Sequence, residues 1–417
     1  MIALVDINNF YVSCERLFNP KLLNKPIVVL SNNDGCIISR SNEAKLLDIK
    51  MGTPLFKIKN LIQSSSIIVL SSNYPLYADI SNRTMTLLAS FSPQQEIYSI
   101  DESFLDLSGN RELNATGQKI KKKLWRYLGM PVCVGVAPTK TLAKLANYCA
   151  KKQPEWFGVC DLSELSTIRI DNIMSKINVS EVWGVGNKTA DKLNSISIYS
   201  VLDLKKSDAI YIKNLFSINL EKIIYELNKT ICFPIDSKMP KKKQIISSRS
   251  FGRPIQSYDL LVEAVTTFTS RAAYKSRQQG TLAEYVSVFI SSSPFQKKYC
   301  YQNNITLKLP YPTNDTNLIL SIALEGTKSI YKDNIKYVKC GVTLSGLIDE
   351  NRTQDHLWPI KTIERSRLTQ VIDTINIKFD KQSIRLATEP TNPIWKMNQS
   401  RKSKSFTTSW KELLVAN

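Results

Sequence analysis

Three carboxylates are the residues of this chain best suited to chemistry. Asp6 lies in the otherwise apolar run 2–7. Burying an acid there is costly unless it is paired, hydrogen-bonded or bound to a metal. Asp101 and Glu102 stand side by side in Tyr98-Ser99-Ile100-Asp101-Glu102-Ser103, at a turn between two strand-like segments. Adjacent like charges repel, and a cation held between them relieves the clash. Three carboxylates from two strand ends can hold a pair of Mg²⁺ ions roughly 3.5–4 Å apart. Mg²⁺ takes hard oxygen ligands and shares its octahedron with substrate phosphates. One ion would lower the pKa of an attacking hydroxyl, and the other would neutralise a triphosphate and its leaving group. The ordinary alternative is a solvated acidic turn.

Other chemistries are poorly supplied. His356 is the single histidine, so triads and histidine-based metal sites are improbable. The eight cysteines are scattered and form no Cys-x-x-Cys pair. This argues against zinc and disulfides and fits free thiols in a reducing cytoplasm. The N-terminus has no basic segment before its apolar run, unlike a signal peptide. No run approaches the ~20 apolar residues of a membrane span. The 56 Lys and Arg against 36 Asp and Glu leave a net charge of +20. Such an excess calls for an anionic partner, nucleic acid first and an acidic membrane surface second.

The elements that must position the acids form a mixed pattern. Residues 2–7 read as a strand and Phe10–Phe18 as a helix. Segments 26–30 and 36–39 read as a hairpin across Ser31-Asn32-Asn33-Asp34-Gly35. Helices are expected from residue 42 and over 74–91, 117–128 and 139–151, and strands over 97–100, 103–107 and 131–136. Residues 165–232 read as short helices. Residues 238–243 form a basic, proline-bearing linker. A second α+β unit follows over 245–348 in the order strand, helix, two strands, helix, strand. Beyond residue 349 the chain turns polar and shows little periodicity.

On these residues the sequence resembles a Y-family DNA polymerase of the UmuC-like kind, the catalytic subunit of bacterial DNA polymerase V. The likeness rests on Leu4-Val5-Asp6 through Phe10-Tyr11, Ser31 to Cys36, Glu43-Ala44-Lys45, Lys50-Met51-Gly52 and Ser72-Asn73-Tyr74. It continues through Ile97 to Glu102, Thr139 to Asn147, Val182-Trp183-Gly184-Val185-Gly186, Ser248 to Gly252 and Trp395-Lys396-Met397.

The resemblance implies an α+β, multidomain right hand. The palm would span 1–20 and 79–165, the fingers 21–78 and the helical thumb 166–237. A little finger would span 244–348 and a C-terminal interaction region 349–417. It implies error-prone translesion synthesis in the SOS DNA-damage response, with two Mg²⁺ ions on Asp6, Asp101, Glu102 and the Ile7 carbonyl. Tyr11 would be the steric gate that excludes a ribose 2′-OH. Phe10, Tyr11, Cys36, Ile38, Lys45, Gly52 and Lys151 would surround the nucleotide, with the two lysines on its phosphates. Where other branches often carry Arg and Tyr, this chain has Lys45 and Asn42, so its phosphate grip differs in detail.

Gly184 and Gly186 resemble the turn of a helix-hairpin-helix, whose N–H groups cradle a phosphate. A helix cap explains such glycines as well. Arg249, Arg253, Lys297 and Lys298 are candidate DNA-backbone contacts. Gln354, Leu357 and Trp358 resemble a degenerate sliding-clamp peptide. The implied partners are primer–template DNA, dNTPs, a processed UmuD dimer, the RecA filament and the clamp. Two other readings stand beside this one. A non-catalytic DNA-binding scaffold would leave the repelling acids without a use. A nucleotidyl cyclase would leave the second α+β unit and the charge unexplained.

Overall fold

In the computed structural model of the chain, the N-terminal apolar run becomes β1 (Ile2–Ile7), buried at every position. The structure describes residues 1–236, 241–293, 300–352, 363–379 and 383–413. After β1 come α1 (Phe10–Phe18), β2 (Ile27–Leu30), β3 (Ile37–Arg40), α2 (Asn42–Leu46), α3 (Lys59–Ser64), β4 (Ile68–Ser71) and α4 (Tyr74–Leu88). Then follow β5 (Gln95–Ile97), β6 (Glu102–Asp106), α5 (Leu113–Leu128), β7 (Val132–Ala137), α6 (Lys140–Lys152) and β8 (Val159–Asp161). Five short helices complete this stretch: α7 (Thr167–Ser175), α8 (Asn187–Asn194), α9 (Val201–Lys206), α10 (Ala209–Leu215) and α11 (Ile218–Leu227).

The central sheet has the order β5-β6-β1-β7-β8. Its middle strand is covered on both faces, which is why β1 reads as an unbroken apolar run. Ile2 and Leu4 face a core shared with α6 and helices α7 to α11. Ala3, Val5 and Ile7 face a core built with α1, α4 and α5. The close fit of α6 on β7 depends on Gly135, where a Cβ would stand 2.2 Å from the Asn147 amide nitrogen. The Asn147 side chain donates to the carbonyls of Leu4 and Cys133, at 3.3 and 2.8 Å, and so ties the helix to two strands. A separate sheet, β3-β2-β4, pairs β2 antiparallel with β3 and parallel with β4.

Beyond these lie β9 (Ile245–Ile255), α12 (Tyr258–Gln279), β10 (Thr281–Ser292), β11 (Gln302–Thr313), α13 (Thr316–Ile330), β12 (Tyr337–Ser345), β13 (Ile348–Asp349) and α14 (Ile363–Lys378). The sheet order is β11-β10-β12-β9, with β13 paired to β10. Strand β10 alternates buried and half-buried positions, the mark of a sheet covered on one face. Its core includes Phe268 of α12, Ile319 of α13 and, from the C-terminal segment, Trp395. Two compact units result. One holds Met1–Ser31, Cys36–Met239 and Arg401–Asn417, and the other holds Asn32–Gly35 and Pro240–Ser400.

Most expected elements are present; α3, β4, β8 and β13 are additional, and three further departures have a visible cause. Residues 98–101 form a turn and not a strand. The Ser99 hydroxyl accepts from the N–H groups of Asp101 and Glu102 and donates to the Asp101 carboxylate at 2.6 Å. Such local bonds compete with a strand ladder. Helix α5 starts at Leu113, ahead of Gly117, whose missing side chain leaves room for Val159. Helix α14 was not expected. Its described side chains, from Leu368 on, bury no apolar stripe, and it is anchored by Arg277, which holds Asp373 at 2.7 and 3.0 Å.

Candidate active site

The three acids meet at one end of the central sheet. Asp6 and Glu102 are direct cross-strand neighbours on β1 and β6. The Ile7 N–H donates to the Asp101 carbonyl at 3.0 Å, fastening the two strand ends. Asp6 is buried, and its carboxyl pKa is pushed up to about 7. Desolvation is the largest cause, the Lys151 ammonium opposes it, and the charges of Glu102 and Asp101 add to it.

Each acid has its own partner. Asp6 meets Lys151 at 2.6 Å, Glu102 meets Lys144 at 3.0 Å, and Asp101 accepts from Ser99. Among the described residues no three His, Cys, Asp or Glu side chains converge tightly enough to enclose a metal ion. The expected ligand set is therefore adjacent but spread, because repulsion sends each carboxylate to a separate partner. Its chemistry fits a hard divalent cation: carboxylate oxygens at adjoining strand ends, and an ammonium now neutralising the most buried of the three acids.

The two lysine partners come from one helix. Lys140, Lys144 and Lys151 are spaced by four and then seven residues, so they share a face of α6. That face pairs in turn with Glu96, Glu102 and Asp6. A second cationic group lies around Lys45. Burial first, then the charges of Arg40, Lys151 and Lys152, hold the Lys45 ammonium below its ordinary pKa, while Asp6 acts in the opposite sense. Arg40 is oriented by donating to the Ile49 carbonyl. Sequence reading missed Arg40, Lys144 and Lys152, although the spacing along α6 would have found Lys144.

Tyr11 stands on α1 beside the acids. Its ring stacks on Tyr77 at 4.4 Å and meets Tyr74 edge-on at 6.2 Å. Burial raises its pKa first, and the Asp101 charge contributes. Phe10, expected near the nucleotide, lies in the core, because the inward side of α1 carries it against Tyr77. Ile38 is half-buried, and β3 is locked to the next turn by the Gly52 N–H on the Ile37 carbonyl at 2.8 Å. Cys36 bridges to Pro54, and a Cβ on Gly52 would meet nothing within 4 Å.

Gly184 has φ +84°, a left-handed value that favours glycine, and Gly186 is the N-cap of α8. In the second unit, Arg253 is exposed and Arg249 is half-buried. Its charge lies near Arg271 of α12. The open face carries other residues: Lys339 across from Ser250 and Ser291, Ser287 across from Thr306 and Thr343, and Lys308 across from Tyr285. Gln354, Leu357, Trp358, Lys297 and Lys298 lie outside the described residues.

Residues 5–148 match the impB/mucB/samB family, and residues 242–357 match its C-terminal domain. The ImpB protein of Salmonella typhimurium is 38% identical over 100% of this chain and 99% of its own length. The chain belongs to the impB/mucB/samB family. The UmuC protein of Salmonella typhimurium strain LT2, also 38% identical, covers 99% of both chains. The DNA polymerase IV of Bacillus velezensis is 30% identical over 92% of each. The fold is that of the Y-family DNA polymerases. A chimera of the polymerases Dbh and Dpo4 superposes with a TM-score of 0.66 and 22% identity, over 84% of this chain and 100% of that one. In this impB/mucB/samB protein, residues 366–416 also match a domain of unknown function. No helix among the described residues is long and apolar enough to cross a membrane.

Proposed function

We propose that the chain is an error-prone, template-directed DNA polymerase that performs translesion synthesis in the SOS response. A primer 3′-OH attacks the α-phosphate of a dNTP in line, extending the primer by one nucleotide and releasing pyrophosphate. The observation that carries this reading is the meeting, at one sheet end, of Asp6, Asp101 and Glu102 with the cations Lys45, Lys151, Lys152 and Arg40. Acids that repel suit divalent ions, and clustered cations suit a triphosphate.

Asp6, Asp101, Glu102 and the Ile7 carbonyl would hold two Mg²⁺ ions. The ions supply charge neutralisation and a lowered pKa at the attacking hydroxyl. Lys45 and Lys151 hold the phosphates, with Arg40 and Lys152 adding positive charge around them. The Tyr11 ring faces the sugar. Cys36, Ile38 and Gly52 roof the nascent base pair, and the open space at Gly52 leaves room for a damaged template base. Catalysis is positioning plus electrostatic stabilisation, so no side-chain base is required.

The turn at Gly184 and Gly186, together with Arg249, Arg253 and the open face bearing Lys308 and Lys339, would contact the DNA backbone. A processed UmuD dimer, the RecA filament and a sliding clamp engaging Gln354, Leu357 and Trp358 are the proposed protein partners, in the bacterial cytoplasm at the nucleoid. Primer extension with Mg²⁺ and dNTPs on intact and abasic templates tests the reading. Wild-type extension that is lost in Asp101→Ala, with bypass of the abasic site, supports it. Silence of the wild type even with activated RecA and processed UmuD overturns it.

A further inference from the structure

Part of the segment that matches a domain of unknown function is linked, through two intervening side chains, to the ring proposed to face the sugar. Residues 401–406 lie along the edge of the first unit. Lys402 forms a parallel bridge with Ser71 at the end of β4. The Ser71 N–H donates to the Arg401 carbonyl, and the Arg401 N–H donates to the Ser71 hydroxyl, each at 3.0 Å. Asn73, which precedes α4, donates to the Ser403 hydroxyl at 2.9 Å and to the Lys404 carbonyl at 3.1 Å. Phe406 stacks on Phe18 of α1 with ring centroids 5.0 Å apart and planes 5° from parallel.

Ser403 then reaches inward. Its hydroxyl donates to Glu15 Oε1 at 3.1 Å, and the Tyr77 hydroxyl donates to the same oxygen at 2.7 Å. Glu15 is 2% exposed and Tyr77 is fully buried. Tyr77 lies almost parallel to Tyr11, with 15° between the rings. A continuous line of contacts therefore runs from the tail through Ser403, Glu15 and Tyr77 to one face of Tyr11. A gate excludes a 2′-OH only if its ring cannot retreat. Tyr77 blocks the retreat, and its own tilt is fixed by the hydroxyl bond to Glu15.

We propose that the C-terminal segment 401–406 is a positioning element for the sugar gate, acting through Ser403, Glu15 and Tyr77 to hold Tyr11 against a ribonucleotide. The inference rests on the reading of Tyr11 as the gate. It gives part of the unassigned domain a task in substrate selection, and it makes Ser403, Glu15 and Tyr77 determinants of specificity without contact to substrate.

The test is the ratio of kcat/KM for dCTP to that for CTP opposite template G, measured in the full chain. Ser403→Ala and Tyr77→Phe should each lower the ratio roughly 10-fold, the worth of one hydrogen bond to a charged acceptor, and Phe406→Ala, which removes the stack on Phe18, should lower it as well. The change should appear as a lower KM for CTP while kcat for dCTP is kept, and Ser403→Thr should restore the ratio. Equilibrium binding of unreactive dCTP and CTP analogues to the chain on a dideoxy-ended primer gives a second readout and should show the same loss of preference. Tyr11→Ala is the reference and should lower the ratio by about 100-fold. A relaxed Tyr11→Ala beside unchanged Ser403→Ala, Tyr77→Phe and Phe406→Ala overturns the positioning role and leaves the gate standing. An unchanged Tyr11→Ala overturns the gate itself and the inference with it.

Discussion

Two buried acids of the first unit are handled in opposite ways. Glu226 of α11 is fully buried, and its carboxylate accepts from the Thr141 N–H and hydroxyl and from the N–H groups of Cys232 and Phe233, at 2.9–3.0 Å. All four donors are neutral, and the acid joins the end of α11 to the start of α6. Asp6 is nearly as deep, yet its partner is one ammonium and its neighbours are two more carboxylates. An acid that serves architecture is satisfied by fixed dipoles. The chemical role proposed for Asp6 calls for the opposite, mobile charge that one cation can replace with another.

The largest effect that would sharpen this contrast is on activity. Asp101→Ala should reduce primer extension by about 1,000-fold or more while leaving the melting temperature unchanged. A matching drop in stability would mean that the acids at the sheet end are structural after all. Glu226→Ala should behave in reverse. It strands four donors, two of them buried, and should cost about 3 kcal/mol in denaturant unfolding, with activity per folded molecule retained. Lys308→Ala and Lys339→Ala test a region that neither buries nor repels charge. Each should weaken primer–template binding and reduce the slope of log affinity against log salt by about 1, without changing kcat.

The smallest effect concerns a third acid. Burial raises the Glu15 pKa, opposed by the hydrogen bonds from Tyr77 and Ser403 and by Lys402. A raised folded pKa means that the folded state holds the proton more tightly. The associated stability is present below the ordinary carboxylate pKa and is lost as pH rises through the raised value. The melting temperature of Glu15→Gln, relative to wild type, should therefore climb as pH increases across that window. A pH-independent difference would show that Glu15 keeps its ordinary affinity for protons.

Much of the first unit was legible because its strands and helices obey single patterns. β1 and α1 begin and end where the apolar run and the helical spacing place them. The acids stood out because they break those patterns. The turn at 98–101 escaped because Ser99 bonds its own backbone, which no periodicity reports. Helix α14 is held by the Arg277–Asp373 ion pair, so it lacks the stripe by which helices are recognised. Trp395, which stood out in the sequence only through the likeness, packs in the core of the second unit beside Phe251 and Phe268.

The bridge between Ser71 and the tail joins residues 330 positions apart. Closing so long a loop costs chain entropy, and only a few bonds and one ring stack reward it. It should form late in folding and open first under mild denaturant. Native-state hydrogen exchange should find the Ser71 and Arg401 amides exchanging by local opening, long before those of β1 and β7. The pocket would then pass through a loosened form in which its acids are in place and its aromatic wall is not yet braced.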